Sequence, residues 1–398
     1  MITVEQATDL ILQTARDFGL EAVPLDAAIG RTLREALYAD RDFPPFHRVT
    51  MDGIAIQYAA FQAGQRVFPI AGIAAAGGAQ QRLLSPQQCL EAMTGAMLPE
   101  GADTVIRYED LEIADGQARV MIEEIGWGQN VHKQGEDRRE GSMVVPTGIK
   151  LSPAEIGVAA TVGKAQLQVS RLPRTVIIST GDELVEVTET PLPHQIRRSN
   201  EHRLRATLAR FGIAADTLHL RDDLEEVRQE LAQVLEQYEV VILSGGVSEG
   251  KFDYLPRALT DLKVEKRFHK IKQRPGKPFW FGQAPSGALV FALPGNPVSS
   301  FMCTQRYFIP WLERSLGLPA RKYPHAILQQ EVLFKPDLTY FMQVRVEYDE
   351  QGRILAFPVE GHGSGDLANL VDADAFLQLP LGRDLFEAGE AFPLIVYR

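Results

Sequence analysis

Glu239-Val-Val-Ile-Leu-Ser-Gly-Gly-Val-Ser248 is an apolar, β-branched run that stops at a serine and two glycines. A parallel strand covered by helices on both faces reads this way, because it has no wet face to alternate with. Glycines at its carboxyl end let bare backbone N–H groups face a phosphate or another oxyanion, and the next helix adds its positive end. Asp253 follows in Gly250-Lys-Phe-Asp-Tyr254. Residues 263–277 then carry seven Lys or Arg against one acid, Glu265, in a chain of formal net charge −11. If 264–274 is extended, alternation puts Lys266, Lys270, Lys272 and Arg274 on one face. The run ends in Arg274-Pro-Gly-Lys-Pro278, and the stretch closes on Leu293-Pro-Gly-Asn-Pro-Val-Ser-Ser300. A glycine cradle, a carboxylate and a concentrated basic strand point to a phosphorylated anionic ligand.

The flanking segments supply a sheet for that strand. Thr175–Thr180 is a second buried strand, ending in Gly181-Asp-Glu183. Helix 199–211, strand 216–220, helix 223–237, strand 239–243, strand 288–292 and helix 298–312 continue the alternation, which predicts a parallel, doubly wound sheet. Ligands bind such sheets at the carboxyl ends of the strands. Gly181–Glu183 and Ser244–Gly246 are expected at that end.

Toward the N-terminus, residues 3–18 predict an amphipathic helix. Thr3 and Gln6 form its capping box, and Ala7, Leu10, Ile11, Ala15 and Phe18 its stripe. A second short helix is expected over 25–37. Pro44-Pro45 then forces an extended loop, and Asp52-Gly53 marks a turn before a strand. Residues 54–137 alternate short β-patterned runs with glycine turns, as a separate lid-like domain would; Thr94 opens one long turn. A helix is expected from Leu151 to about 162. Beyond Tyr323, short strands predict a small barrel or sandwich.

The composition excludes several classes. No run of about 18 apolar residues predicts a membrane span, and the N-terminus has no secretory pattern. Cys89 and Cys303 give neither a disulfide framework nor metal-ligand spacing. A cytoplasmic protein is expected, without membrane or nucleic-acid partners, since the latter need a broad basic surface. Some acids have ordinary roles open to them. Asp222 and Asp223 stand where N-capping is the default, and Asp52 before a glycine reads equally as a turn residue. His47 and His132 have no partner at metal-ligand spacing.

Ten segments in order resemble the MoeA family of molybdopterin molybdenumtransferases, which includes the E domain of gephyrin. They are Pro44-Pro-Phe with Met51-Asp-Gly53, Thr94-Gly-Ala with Pro99-Glu-Gly-Ala-Asp103, Gly128-Gln-Asn-Val with Gly135-Glu-Asp137, and Leu151-Ser-Pro-Ala-Glu-Ile-Gly157. Ser179-Thr-Gly-Asp-Glu-Leu184, Arg198-Ser-Asn200, Ser244-Gly-Gly-Val-Ser248, Pro275-Gly-Lys-Pro278, Leu293-Pro-Gly-Asn-Pro-Val-Ser299 and Gly363-Ser-Gly365 complete the set. The resemblance implies a multidomain α/β protein. Its parts would be an elongated discontinuous domain (1–48 and 138–170), a β-rich lid (49–137), a molybdopterin-binding α/β domain with a parallel sheet (171–322) and a C-terminal β-barrel (323–398).

It also implies a homodimer whose active site lies in a cleft shared between subunits. The reaction would be the last step of molybdenum cofactor synthesis: adenylylated molybdopterin and molybdate react with help from Mg²⁺, and AMP leaves. The functional residues it implies are Asp52, Thr94, Asp137, Glu183, Asp223, Asp253, Lys270, Arg274 and Lys277, with Mg²⁺ on Glu183 and Asp253. Ser244, Gly245, Gly246, Ser248 and Pro278 would bind substrate, and molybdate would meet Arg274, Lys277, Ser299, Arg345 and Ser364. Molybdopterin adenylyltransferase and apo-molybdoenzymes are the further partners expected. Two segments depart from the family pattern. His47-Arg-Val-Thr50 replaces a small-residue Ser-Ala stretch, and Arg274 stands where the family usually has lysine. The alternative is an altered paralogue on the same fold, acting as a cofactor-binding scaffold or as a nucleotide pyrophosphate hydrolase.

Overall fold

Alternate side chains of the strand Val240–Ser244 enter two different cores. Val240 and Ile242 join one apolar cluster, Val241 and Leu243 the other. The strands Thr175–Thr180 and Leu289–Leu293 divide in the same way. Helix Ser199–Ala209 covers the first face through Leu204 and Leu208, and helix Leu224–Gln237 covers the second through Val227, Leu231 and Val234. A strand buried on both sides cannot alternate in polarity, which is why these segments read as continuous apolar runs. The computed structural model describes residues 1–247, 254–361, 363 and 365–398.

The chain forms two compact units, 1–34 with 148–152 and 167–398, and 35–147 with 153–166. In the first, the sheet runs Asp216–Leu220, Thr175–Thr180, Val240–Ser244, Leu289–Leu293, Trp280–Gln283, Glu265–His269. The first four strands are parallel, as expected, and Trp280–Gln283 runs antiparallel to both of its neighbours, Leu289–Leu293 and Glu265–His269. The sheet is therefore mixed. The Trp280–Gln283 strand escapes a reading by pattern because Pro278 precedes it and Gly282 interrupts it. The same unit carries a closed five-stranded barrel in which His325–Leu328, Ile354–Pro358, Thr339–Tyr348, Ala375–Leu379 and Ala391–Val396 pair in a ring. Gln273–Arg274 pairs with its strand Thr339–Tyr348.

Several expected elements come out differently. The N-terminal helix keeps its capping box, with Gln6 N donating to Thr3 Oγ1 at 3.2 Å, but spans only Val4–Leu12. The Thr14 hydroxyl donates to the Ile11 carbonyl and competes with the helical ladder. Only a 3₁₀ turn, Leu25–Ala27, replaces the helix expected over 25–37. The 264–274 strand ends at His269 because Lys270 is left-handed at φ 77°, so the predicted four-cation face does not form. Helix 297–315 widens to a π turn at Thr304–Phe308, just before Pro310, which has no N–H to continue the ladder.

In the second unit a six-stranded sheet has the order Thr104–Arg107, Gly53–Ile56, Cys89–Ala92, Val67–Ala74, Gln117–Val120, Leu111–Ala114. Gly53 is required there: a Cβ would lie 1.9 Å from the Ile106 carbonyl oxygen. No helix among the described residues is long and apolar enough to cross a membrane. Both cysteines are unpaired and buried.

Phe291 lies at the centre of the first core, with ring centroids 4.9 Å from Phe281, 5.1 Å from Phe308 and 5.1 Å from Trp311. Phe291→Ala is expected to destabilise this unit by about 3–5 kcal/mol. Urea unfolding followed by tryptophan fluorescence checks it. A loss under about 1 kcal/mol would mean that the cluster closes over the gap.

Candidate active site

The chain enters the sheet at Thr175–Thr180, moves out to Asp216–Leu220, and returns to the other side at Val240–Ser244. The order reverses between the first and third of these, and a crevice opens at their carboxyl ends. A cavity of about 410 Å³ occupies it. Ser179 to Gly181 and Glu183 line one wall, Ser244 to Val247 another, and Pro294 to Pro297 a third. Gly245 and Gly246 have φ of 102° and 65°, and a Cβ on Gly246 would sit 2.9 Å from Thr180 Oγ1. The two strand ends approach this closely only because glycine stands there.

Asn200 clamps the walls. Its Nδ2 donates to Ser244 Oγ at 3.0 Å and to the Gly295 carbonyl at 2.7 Å. Its Oδ1 and the Thr180 hydroxyl oxygen are buried and unpartnered among the described residues. Buried polar atoms rarely stay unpaired, and both of these residues line the cavity. Glu183, Glu201 and Asp222 bring carboxylates to the lining, and Arg197 and Arg198 bring cations. Arg198 is held by Glu186 and, at 3.5 Å, by Glu201.

A second cavity of about 510 Å³ shares Pro278, Pro294 and Asn296 with the first. Its charge is of one sign. Arg274 and Lys277 line it with Ser299 and Gln343, and no described lining residue is acidic. The Pro275-Gly276 turn between the two cations is braced from below. Buried Gln273 donates from Nε2 to the Gly276 carbonyl at 2.9 Å and accepts from the Tyr307 hydroxyl. Arg274 lies 5.9 Å over Phe334, which stacks on Tyr340 at 4.3 Å.

The expected site residues thus fall into groups. Glu183, Ser244, Gly245, Gly246 and Pro278 meet in the first cavity; Arg274, Lys277, Pro278 and Ser299 meet in the second. Lys270 and Arg345 line neither. Arg345 pairs with Glu347 at 2.9 Å and lies 5.5 Å over Phe357. Asp223 caps the Leu224–Gln237 helix by accepting from Glu226 N at 2.9 Å, and its neighbour Asp222 is the one that faces the cavity. Ser248, Asp253 and Ser364 lie outside the described residues. Asn200, Asn296 and Arg198 sit in motifs whose signal was read, yet their roles appear only once the walls are in place. Gln273, buried beneath a turn, leaves no mark in sequence.

Asp52, Thr94 and Asp137 belong to the other unit. Asp52 Oδ1 accepts from Thr94 N at 2.6 Å, and this backbone bond, followed by one from the Thr94 side chain, holds the carboxyl below its ordinary 3.8. Nearby, burial first and then Glu91 push the Tyr108 hydroxyl up to about 12. Asp137 Oδ1 lies 3.0 Å from His132 Nε2. Among the described residues no three His, Cys, Asp or Glu side chains form a metal cluster.

Fold and cavities together define an α/β ligand-binding protein with a crevice at the strand ends and a cationic pocket against a small barrel. Residues 2–163 match the MoeA N-terminal region (domain I and II), 176–314 a probable molybdopterin binding domain, and 325–397 the MoeA C-terminal region (domain IV). The molybdopterin molybdenumtransferase of Synechocystis sp. is 39% identical over 400 residues, covering 100% of both chains. That of Bacillus subtilis is 30% identical over 412 residues, covering 100% of this chain and 94% of the relative. The crystal structure of a molybdopterin biosynthesis MoeA protein from Pyrococcus horikoshii superposes with a TM-score of 0.82 at 29% identity, covering 100% of this chain and 99% of the other. The chain belongs to the MoeA family of molybdopterin molybdenumtransferases, enzymes of molybdenum cofactor biosynthesis.

Two outcomes follow. Asn200→Ala is expected to lower stability by about 1–3 kcal/mol, and Asn200→Asp by at least as much, because a carboxylate has no N–H to give the Gly295 carbonyl. Unchanged denaturation midpoints in both variants would dismiss the clamp. For Asp52, Thr94→Val removes the hydroxyl and keeps the amide. The Asp52 carboxyl should then rise part of the way and stay below 3.8, since the backbone bond is the larger cause. The stability this acid contributes is present above its unfolded pKa and is lost as pH falls through the lowered folded value. Carboxyl ¹³C titration by NMR reads the shift, and an Asp52 at or above 3.8 in the native protein would dismiss the bond.

Proposed function

We propose that the chain inserts molybdenum from molybdate into adenylylated molybdopterin, with Mg²⁺ assisting and AMP leaving. The observation that carries this reading is the contrast between two joined cavities. One offers a tight glycine turn, buried polar atoms unpartnered among the described residues, and carboxylates; the other offers two cations and no described acid. A substrate with a phosphate, a phosphoanhydride and a dithiolene would use the first, and a tetrahedral oxyanion beside it would use the second.

In the first cavity the Gly245 N–H already donates to the Leu293 carbonyl at 3.2 Å, so the Gly246 N–H is the amide of this turn that would face a phosphate, and Asn200 keeps Ser244 in place. The donor set suits Mg²⁺, which takes one or two carboxylates and fills its remaining positions with water and phosphate oxygens. Glu183 would supply one such oxygen, and Asp253 is the second by resemblance. Held there, Mg²⁺ would supply charge neutralisation for the phosphoanhydride. In the second cavity Arg274, Lys277 and Ser299 orient the oxyanion through charge-assisted hydrogen bonds. Asp52, Thr94 and Asp137 enter as functional residues on their motifs. A cytoplasmic homodimer with a cleft shared between subunits, handing its product to apo-molybdoenzymes, completes the proposal.

The test is AMP release across a molybdate titration. Losing a charge-assisted bond of this kind typically costs about 1.5–3 kcal/mol. Arg274→Ala should therefore raise the half-saturating molybdate concentration about ten- to a hundredfold, with pterin phosphate binding little changed. Arg274→Lys separates a need for charge from a need for the planar fork. An unchanged half-saturation point for Arg274→Ala would remove this residue from the site. AMP release that ignores molybdate altogether would favour the pyrophosphate hydrolase.

A further inference from the structure

The His47-Arg-Val-Thr50 departure lies on a short strand. Arg48–Val49 pairs antiparallel with Val131–His132, and Arg48 stands directly opposite His132. Side chains so placed are near neighbours, and here they touch. Arg48 Nη2 is 3.1 Å from His132 Nδ1, and His132 Nε2 is 3.0 Å from Asp137 Oδ1. A guanidinium only donates, so Nδ1 accepts, and the ring carries its proton on Nε2 and donates it to Asp137. Arg48 thereby selects the tautomer that addresses the carboxylate.

The surroundings hold the same geometry. Glu136 Oε2 is 4.0 Å from His132 Nε2 and is engaged by Lys133 N at 3.0 Å. His47 Nδ1 accepts from Gln134 N at 3.1 Å. The Asp137 backbone N–H donates to the Phe43 carbonyl at 2.9 Å, which ties the acid to the loop that leads into Arg48. The His132 side chain is 23% exposed and that of Asp137 55%. The ring is the covered inner element, and the carboxylate faces outward.

We propose that Arg48 and His132 are positioning residues for Asp137, aiming its carboxylate through a guanidinium–imidazole relay. The proposal deepens the functional reading above and rests on Asp137 being a working acid of the molybdenum transfer. Glutamine can replace the ring, since its amide accepts from Arg48 at one end and donates to Asp137 at the other.

Molybdate-dependent AMP release is measured for Arg48→Ala, His132→Ala, His132→Gln, Asp137→Asn and the Arg48→Ala/His132→Ala double variant, alongside melting temperature. His132→Ala should lower kcat about ten- to a hundredfold with half-saturating molybdate unchanged. His132→Gln should stay within about threefold of the parent. The double variant should be no worse than His132→Ala alone, because the two act as one unit. A near-native kcat for His132→Ala, or a His132→Gln as poor as the alanine variant, overturns the relay. A native rate in Asp137→Asn sinks the assignment of Asp137 instead. Independently of turnover, ¹⁵N spectra of the full-length protein labelled in its histidine rings should show His132 protonated at Nε2, with that preference lost in Arg48→Ala. A ring protonated at Nδ1 overturns the proposal whatever the rates show.

Discussion

A sheet buried on both faces admits polar chemistry only where its strands stop. The strands Thr175–Thr180 and Val240–Ser244 are covered along their whole length. The two turns then leave in opposite directions. After Thr180 the chain goes to a helix on the face of Leu204 and Leu208, and after Ser244 to one on the face of Leu255 and Ala258. A crevice between them follows from topology alone. The glycines decide how narrow it is, because side chains at 245 and 246 would strike Thr180.

Charge then divides the crevice into two chemistries. The wall at the strand ends mixes carboxylates with arginines, and it includes Thr180 and Asn200 oxygens that are buried and unpartnered among the described residues. The neighbouring pocket meets the barrel and holds only cations and neutral groups among its described lining residues. Two like charges aimed at one space repel each other, and that repulsion is relieved when an anion enters. A buried amide fixes the backbone that carries them: Gln273 holds the turn between the two cations.

The parallel strands and the glycine turns at their ends were legible because a doubly covered strand has an unmistakable pattern and because paired glycines mark where it stops. What was not legible has physical causes too. Lys270 turns left-handed, and nothing in a run of alternating cations warns of it. Asp222 and Asp223 have the same local chemistry, and only the direction in which each side chain leaves separates the cavity residue from the helix cap. Trp280–Gln283 joins the sheet antiparallel, as a strand broken by Gly282 that sequence periodicity does not raise. Local pattern reports burial well. It does not report which of two adjacent identical groups points at the site.

The two departures from the family pattern share one explanation in the fold. Arg48 stands across a strand pair from His132. Arg274 stands across a strand pair from Tyr340, whose ring stacks on Phe334 beneath the guanidinium. Both arginines have an aromatic ring at the register position opposite: Arg48 bonds the His132 imidazole directly, whereas Arg274 lies over Phe334, on which Tyr340 stacks. An ammonium would keep the charge and lose the shape. Each substitution is therefore read against its cross-strand neighbour rather than against the residues beside it in sequence.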